Sequence, residues 1–213
     1  MKIYSYVVAY DSGFAPNPFW GYCTLATCKP NIRLKAKKGD WIIGTGSVRN
    51  VGNHKMIYGM KVTEIMSLKE YGRHKRFANK IPSKGTKHEI GDNIYYRDRN
   101  GDMRQRFPSM HSYPNAENPE TKDHDLKGEN VLISESGNFY YFGRKAPKIP
   151  EHLLCLVKKG PGHKCNFSQD VIDRFLQWIQ EKKPGIRGTP CDYPAQLKGC
   201  TRPIETCKSR SCK

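Results

Sequence analysis

The sequence predicts an α+β fold in which a curved sheet or small β-barrel carries peripheral helices. Most of the short apolar runs, which are separated by Gly, Pro and Asn turns, lie in the first two thirds of the chain. One clear helical period follows late in the sequence. At 213 residues the chain is long enough to bury the core of one domain. Strand signals followed by a late helix favour a sheet with helices at its periphery.

The amino-terminal half supplies the clearest strands. Residues 3–10 are apolar with polar interruptions and predict a first strand. Residues 11–22 contain two prolines one residue apart, which predicts an ordered loop because proline cannot pair within a central strand. Gly39–Ser47 and Met56–Met66 then predict two neighbouring strands joined through a Gly-Thr-Gly-Ser corner.

The second half predicts fewer elements. We expect a long polar loop over residues 104–128. The helix is expected from Ser168 to about Lys182, with Ser168 or Asn166 as its N-cap. The remaining signals predict a short strand at 94–97, a hairpin formed by 131–134 with 139–142, and a further strand at 153–157. These elements define a domain over 1–182, followed by a basic, cysteine-rich and irregular tail over 183–213.

The formal charge of +17 indicates a phosphate-bearing partner, a nucleic acid or a nucleotide. Residues 29–87 contain fifteen Lys or Arg against three acids. The Gly160–His163 loop before the helix is a further candidate anion site. A merely soluble cationic surface is the alternative. The candidate phosphate-binding residues are Lys35, Lys37, Lys38, Arg49, Lys55, His163 and Lys164.

A second set of residues could recognise a base. Aromatic side chains in the 11–22 loop either pack back on the sheet or line a pocket for a planar ligand. The hydroxyls of Thr45 and Ser47 could bond a phosphate or a base edge, although a plain strand-end turn explains that corner equally well. The candidate base-binding residues are Phe14, Asn17, Phe19, Trp20, Thr45, Ser47 and Tyr95.

The polar loop offers a candidate acid/base site. His111 and Asp125 have the chemistry of a general acid/base pair, and Gln105 could orient a substrate, although a solvated loop has the same composition. Cys23 and Cys28 are candidate thiols, but the sequence identifies no base beside them. We therefore interpret both as small buried side chains.

No metal or cofactor is expected. Four cysteines crowd the end of the chain at irregular spacings, which favours free thiols over a structural zinc site: Cys191, Cys200, Cys207 and Cys212. The apolar amino terminus is short and lacks the pattern of a signal peptide, and no run is long enough to span a bilayer. We expect a cytoplasmic protein without membrane contact.

Three segments resemble the second type of nucleotide modification associated domain: residues 11–19, 23–30 and 39–47. Weaker matches at 91–95, 131–143 and 162–163 extend this resemblance over residues 1–182. The family occurs in bacterial and phage genes associated with modified nucleotides. More loosely, the Gly-Asp turn and its two strands resemble the EVE and ASCH branch of the PUA-like barrels. That resemblance implies a pocket beside the barrel that holds nucleic acid or a flipped, modified base.

These observations lead first to a binding module that recognises nucleic acid or a modified nucleotide, in phage–host conflict and with partner proteins of a modification or defence system. The alternative is an enzyme that acts on a nucleotide or nucleobase through His111 and Asp125, with Gln105 orienting the substrate. A third hypothesis is an interaction protein whose basic surface binds an acidic partner.

Overall fold

The computed structural model describes residues 1–192, apart from the side chain of Lys87. The predicted tail cysteines Cys200, Cys207 and Cys212 lie outside these residues. The helices are α1 (Pro30–Lys35), α2 (Leu68–Tyr71), α3 (Pro119–Leu126) and α4 (Gln169–Gln180). The strands are β1 (Ile3–Val7), β2 (Tyr22–Leu25), β3 (Trp41–Thr45), β4 (Met56–Lys61), β5 (Glu64–Ser67), β6 (Tyr95–Arg97), β7 (Met103–Gln105), β8 (Asn130–Glu135), β9 (Phe139–Tyr141), β10 (His163–Lys164) and β11 (Gly185–Ile186).

The largest sheet has six strands in the order β10-β1-β3-β4-β9-β11. It contains the predicted pair: β3 and β4 are antiparallel neighbours, with Ile42 opposite Met60 and an irregularity between Gly44 and Thr45. Gly44 is needed there because a Cβ atom would lie only 2.3 Å from the ring of Tyr58. The predicted first strand is confirmed as β1, which runs parallel to β3.

The strands of residues 1–192 form no closed barrel, so the small β-barrel among the predicted folds is corrected to open sheets in a mixed α/β fold. Beside the main sheet lie a three-stranded sheet, β2-β8-β5, and the pair β6-β7. The predicted hairpin of residues 131–142 is also wrong. The turn exists, but β8 pairs with β2 and β5 whereas β9 pairs with β4 and β11, so the chain crosses between sheets at this turn.

Two further predictions are corrected. Residues 151–156 form a 3-10 helix rather than a strand, and the threefold period places the buried Leu153 and Leu156 on one face. The polar segment 104–128 is not a continuous loop, because it contains the end of β7 and the whole of α3. That helix starts at Pro119, where the Asn118 side chain accepts a hydrogen bond from the N–H of Glu120 at 3.1 Å.

The late helix is confirmed as α4. Its N-cap is Ser168, whose hydroxyl accepts a hydrogen bond from the N–H of Val171 at 3.4 Å. The apolar face of the helix covers the main sheet, and the ring of Phe175 lies 5.3 Å from that of Trp41 in an edge-to-face arrangement. This face contains Ile172, Phe175, Trp178 and Ile179, all buried.

A second, smaller core lies under the three-stranded sheet and positions the candidate site. Its buried members include Phe14, Tyr71, Phe77, Tyr95 and Met110. After α4 the chain returns to the main sheet as β11, which runs parallel to β9. The division of the chain at residue 182 stays a prediction. Among residues 1–192, no helix combines the length and apolar character that crossing a bilayer requires.

Candidate functional site

Cys28 lies in the turn between β2 and α1. Its φ angle is +55° and that of Lys29 is +42°, so two successive non-glycine residues adopt the left-handed conformation. Such conformations cost free energy and cluster at functional sites. Pro30 then starts α1, with a φ angle already suited to a helix. The result is a sharp strand-to-helix turn that holds Cys28, and this side chain is half-buried.

His111 and Asp125 meet Cys28 from the segment between β7 and β8. The Sγ atom of Cys28 lies 3.6 Å from Nε2 of His111, and Nδ1 of His111 lies 2.7 Å from Oδ2 of Asp125. The Asp125 side chain is fully buried, whereas that of His111 is 19% exposed. The buried carboxylate of Asp125 therefore contacts the imidazole of His111, and this imidazole contacts the partly accessible thiol of Cys28.

The hydrogen bonds define the tautomer of His111. Burial alone raises the pKa of Asp125, but the charge and hydrogen bond of His111, the charge of Arg33 and the N–H of Cys28 outweigh burial and lower that pKa. The carboxylate is thus ionised at neutral pH and can only accept hydrogen bonds. A neutral His111 consequently carries its proton on Nδ1, which leaves the Nε2 lone pair facing the thiol.

Asp125 also ties the site to its surroundings. Its Oδ1 accepts a hydrogen bond from the N–H of Cys28 at 2.6 Å, and its Oδ2 accepts one from the hydroxyl of Tyr95 at 2.9 Å. Burial, followed by the charge of Asp125, raises the pKa of Tyr95, so this hydroxyl remains a donor. One carboxylate therefore fixes the thiol-bearing turn, the imidazole and a strand of the third sheet.

Arg33 holds the same turn from the other side. This fully buried guanidinium donates to the carbonyl oxygen of Cys28 at 2.8 Å, to that of Asn130 at 2.9 Å, and to that of Asp125. A Cβ atom on Gly128 would lie 2.3 Å from the guanidinium carbon, so this position has no room for a side chain. Arg33 thus joins the start of α1 to the end of α3.

Gln105 and Phe14 position His111. The Gln105 side-chain amide donates to the carbonyl oxygen of His111 and to the hydroxyl of Tyr95, both at 3.2 Å. Its oxygen accepts the N–H of Asn118 at 2.7 Å. Phe14 packs edge-to-face on the imidazole, with ring centroids 4.8 Å apart. Gln105 is buried and bonded to protein groups, so this arrangement gives it a positioning role.

The geometry fits a nucleophilic thiol with its base and orienting acid, the arrangement of cysteine-dependent enzymes. The same three residues could also supply ligand atoms for a metal ion, since these atoms lie within 4.8 Å of one another. However, the two ring nitrogens of His111 face different partners, and the Asp125 oxygens already accept three hydrogen bonds. One ion cannot use all three side chains without breaking these contacts, so the donor set fits the thiol arrangement better.

The structure divides the candidate base-binding residues into two groups. Phe14 and Tyr95 contact the Cys28–His111–Asp125 site. The others lie elsewhere: the Asn17 amide oxygen accepts from the buried ammonium group of Lys80 at 2.6 Å, and Trp20 stacks on His88. Phe19 packs edge-to-face on Trp20.

The predicted Gly-Thr-Gly-Ser corner is buried within the fold. The Thr45 hydroxyl lies 3.3 Å from the carbonyl oxygen of Tyr6, to which it donates. The buried hydroxyl of Ser47 has no hydrogen-bond partner among the described residues. Neither side chain is brought to the Cys28–His111–Asp125 site by the contacts of residues 1–192.

Most of the candidate phosphate-binding residues are exposed cations. These are Lys35, Lys37, Lys38, Arg49 and Lys55. Lys164 is also exposed and donates to the carbonyl oxygen of Cys155 at 3.0 Å. His163 is half-buried against Tyr4, with ring centroids 5.7 Å apart.

The sequence did not identify Cys28 or Arg33 as functional residues. A usable signal was present in the Cys-Lys-Pro sequence, because proline at the first position of a helix places the preceding residues in a turn. The contact between Cys28 and His111 could not be predicted from the sequence, because 83 positions separate the two residues.

Comparison with protein families matches the nucleotide modification associated domain 2 model over residues 1–197. Comparisons with the curated proteins and with the solved structures found no match. The family match includes the β2–α1 turn, the His111 loop and α3, and therefore the whole candidate site. The description of the family indicates involvement in nucleotide modification. The chain belongs to the nucleotide modification associated domain 2 family.

Proposed function

We propose that this protein is a nucleotide-modifying enzyme in which Cys28 is a covalent nucleophile. One observation carries the proposal: the Cys28 sulfur lies 3.6 Å from His111 Nε2, and the other ring nitrogen is bound to the buried Asp125. This is the alternative that the sequence offered through His111 and Asp125, with a thiol added to the pair. The proposal assigns nucleophilic attack to Cys28, proton transfer to His111 and orientation of the imidazole to Asp125.

The chemistry proposed is transfer or hydrolysis of an acyl-type group on a nucleotide. The thiol proton moves to His111 Nε2 while sulfur forms a bond to the electrophilic carbon. The bond from that carbon to the leaving nitrogen or oxygen then breaks, and His111 returns the proton to this leaving atom. Water or an acceptor next gives its proton to His111, attacks the thioester and releases Cys28 as a thiol. No oxidant or reductant is needed.

Two exposed aromatic residues support a substrate that contains a base. Phe107 and Tyr113 are 50% and 48% exposed, and they flank His111 in the same segment. Tyr113 is two positions from His111, so their Cα atoms are at most about 7 Å apart. Exposed aromatic rings beside a reactive group can stack on a nucleobase. The family description supplies the same class of substrate.

The basic surface favours a second candidate function, a module that recognises nucleic acid or a modified base. The net charge of +17 supports this hypothesis, as does the number of exposed Lys and Arg side chains. A PUA-like pocket and a role in phage–host conflict belong to this proposal. A binding module does not require a thiol aligned with an imidazole, so the behaviour of Cys28 separates the two functions.

The deciding experiment measures alkylation of each cysteine by iodoacetamide at pH 7, with site-resolved mass spectrometry. Because His111 can accept the thiol proton, we expect Cys28 to react at least about tenfold faster than the exposed Cys155. The His111→Gln variant should lose this advantage while Cys155 remains unchanged. Equal rates for Cys28 in the wild type and in His111→Gln would overturn the proposed catalytic role.

A further inference from the structure

Two lysines and a histidine lie beside the Cys28 turn, on one face of the main sheet. Lys29 immediately follows Cys28, and its ammonium group lies 4.7 Å from the ring centroid of Tyr6. Lys35 ends α1, and its carbonyl oxygen accepts the Tyr4 hydroxyl at 3.1 Å. His163 stacks at a tilt on the Tyr4 ring, with centroids 5.7 Å apart. We call Lys29, Lys35 and His163 the cationic cluster.

The strand register explains why these residues meet. Tyr6 of β1 lies directly opposite His163 of β10, so their side chains lie on the same face. Tyr4 is two positions before Tyr6 and shares this face, because side chains alternate along a strand. Helix α1 follows the same face, with Lys29 at the Tyr6 end and Lys35 at the Tyr4 end. The cluster is therefore held by backbone geometry as well as by its side chains.

The charges of the cluster are not neutralised within the described residues. None of the ion pairs formed by residues 1–192 includes Lys29, Lys35 or His163. Burial, then Lys35, then Lys29 lower the pKa of His163, in keeping with three groups that repel one another when charged.

A carboxylate close to Tyr4 is already engaged elsewhere. The charge of Asp40 helps to raise the pKa of Tyr4, so this carboxylate lies close to the cluster. Asp40 accepts hydrogen bonds from the main-chain N–H of Lys2 at 2.7 Å and from that of Lys37 at 2.9 Å. Like charges held together without a partner carboxylate favour an external anion.

We propose that the cationic cluster binds a phosphate group of the substrate and so places a nucleotide next to Cys28. This inference rests on the proposed function, and it makes that function more specific: the substrate is a phosphorylated nucleotide rather than a free base or nucleoside. Lysine ammonium groups and a protonated imidazole are suitable donors to phosphate oxygens. Lys29 adjoins the nucleophile in the chain, so a phosphate bound there holds its nucleotide at the reacting sulfur.

The test is NMR of the His163 ring in the full chain, titrated separately with inorganic phosphate, thymidine monophosphate and a single-stranded oligothymidylate. A bound phosphate should shift the His163 signals and raise the pKa of His163, since a nearby anion favours the imidazolium. Tighter binding of the mononucleotide would identify a free nucleotide as the source of the phosphate. Tighter binding of the oligonucleotide would identify a polymer.

Variants separate the cluster from the general basic surface. Lys35→Met should weaken binding of the tightest probe at least about tenfold. Lys61→Met, which removes an exposed charge that belongs neither to the cluster nor to the candidate phosphate-binding residues, should leave that affinity within about twofold. Equal losses in the two variants, or a His163 pKa that none of the three probes changes, would overturn the inference.

Cys28→Ser keeps the two outcomes distinct. This variant should bind phosphate as the wild type does, because no atom of the cationic cluster is altered. If Cys28 alkylation does not depend on His111 while phosphate still shifts the NMR signals of His163, the catalytic proposal is wrong and the anion site is supported. If Cys28 alkylation depends on His111 but no probe changes the NMR signals of His163, the enzyme proposal is supported and the anion site is wrong.

Discussion

Asp125 is the residue on which the geometry of the site depends. Its carboxylate accepts hydrogen bonds from the Cys28 N–H, the Tyr95 hydroxyl and His111 Nδ1, which come from three separate parts of the chain. A fully buried carboxylate without such partners would cost several kcal/mol. The same contacts that stabilise this charge also set the tautomer of His111 and the position of the thiol. Stability and chemistry are therefore coupled at a single side chain.

Asp125→Asn should destabilise the fold at pH 7 by about 2–4 kcal/mol, because the amide cannot replace the ionised acceptor. The lowered pKa gives this loss a pH dependence. A carboxyl group whose pKa is depressed in the folded state adds stability above its unfolded pKa, and that stability is lost as the pH falls through the folded value. The difference in unfolding free energy between wild type and variant should therefore shrink below about pH 4.

Urea denaturation at several pH values measures this difference. Asp123→Asn is the matched control, because Asp123 lies on the same helix and is exposed. We expect the control to stay within about 0.5 kcal/mol of the wild type at pH 7. A difference for Asp125→Asn that remains constant from pH 7 to pH 3 would contradict the assigned ionisation.

At the scale of elements, the site depends on the junction between α1 and α3. Both helices are short, six and eight residues, and would not be stable alone. Arg33 joins them through main-chain carbonyl groups, and the chain leaves α3 at Gly128, beside the guanidinium. The relative position of Cys28 and Asp125 is consequently set by one buried side chain and the space left for it.

Gly128→Ala should disturb this junction. The added methyl group would lie 2.3 Å from the Arg33 guanidinium carbon, so the guanidinium must shift and lose hydrogen bonds. We expect a cost of about 1–3 kcal/mol and slower alkylation of Cys28. Gly59→Ala is the control, since its added methyl group meets nothing closer than 3.7 Å. Unchanged Cys28 alkylation in Gly128→Ala would show that the junction does not position the thiol.

The elements also show how far the sequence determines this fold. Strands β1, β3 and β4 were predictable as short apolar runs bounded by turn residues, and helix α4 was predictable because its apolar residues recur with the helical period. Helix α3 was not, because its only buried residue is Asp125, and a polar helix leaves no apolar period. The wrong prediction of a hairpin at 131–142 has a related cause. A turn between two apolar runs is a local signal, whereas β8 and β9 pair with strands that are distant in sequence.

The candidate site was likewise predictable only in its local features. His111 and Asp125 were recognisable from their chemistry, but their alignment with Cys28 is tertiary. This alignment depends on a left-handed turn, on the buried Arg33 and on helix α3, and the hydrophobic pattern of the sequence reveals none of them.

For the whole molecule, the distribution of charge is the main unexplained feature. The site itself carries a buried carboxylate, Asp125, and a buried guanidinium, Arg33, whereas the surface carries most of the +17 excess. The exposed lysines Lys37, Lys38 and Lys55 form no ion pair among the described residues. Charges arranged in this way attract a polyanion over a wide area and need not specify its sequence.

Binding to a single-stranded oligonucleotide should therefore weaken steeply with salt. Each neutralised phosphate on a single strand contributes a slope of about −0.7 to the plot of log K against log salt, so four to six contacts predict a slope of about −3 to −4. Fluorescence anisotropy between 50 and 300 mM NaCl measures that slope. Lys37→Met combined with Lys38→Met should reduce its magnitude by about 1.4 if both lysines contact phosphate.

Polyglutamate of equal charge is the comparison that separates a nucleic-acid partner from an acidic protein. A nucleic-acid surface should hold the oligonucleotide more tightly at 150 mM NaCl, because stacking on aromatic side chains such as Tyr113 survives salt whereas charge attraction does not. Equal affinities for the two polyanions at every salt concentration would instead indicate charge attraction alone. The basic surface would then favour an acidic partner as readily as a nucleic acid, and the nucleotide would have to be recognised at Cys28 itself.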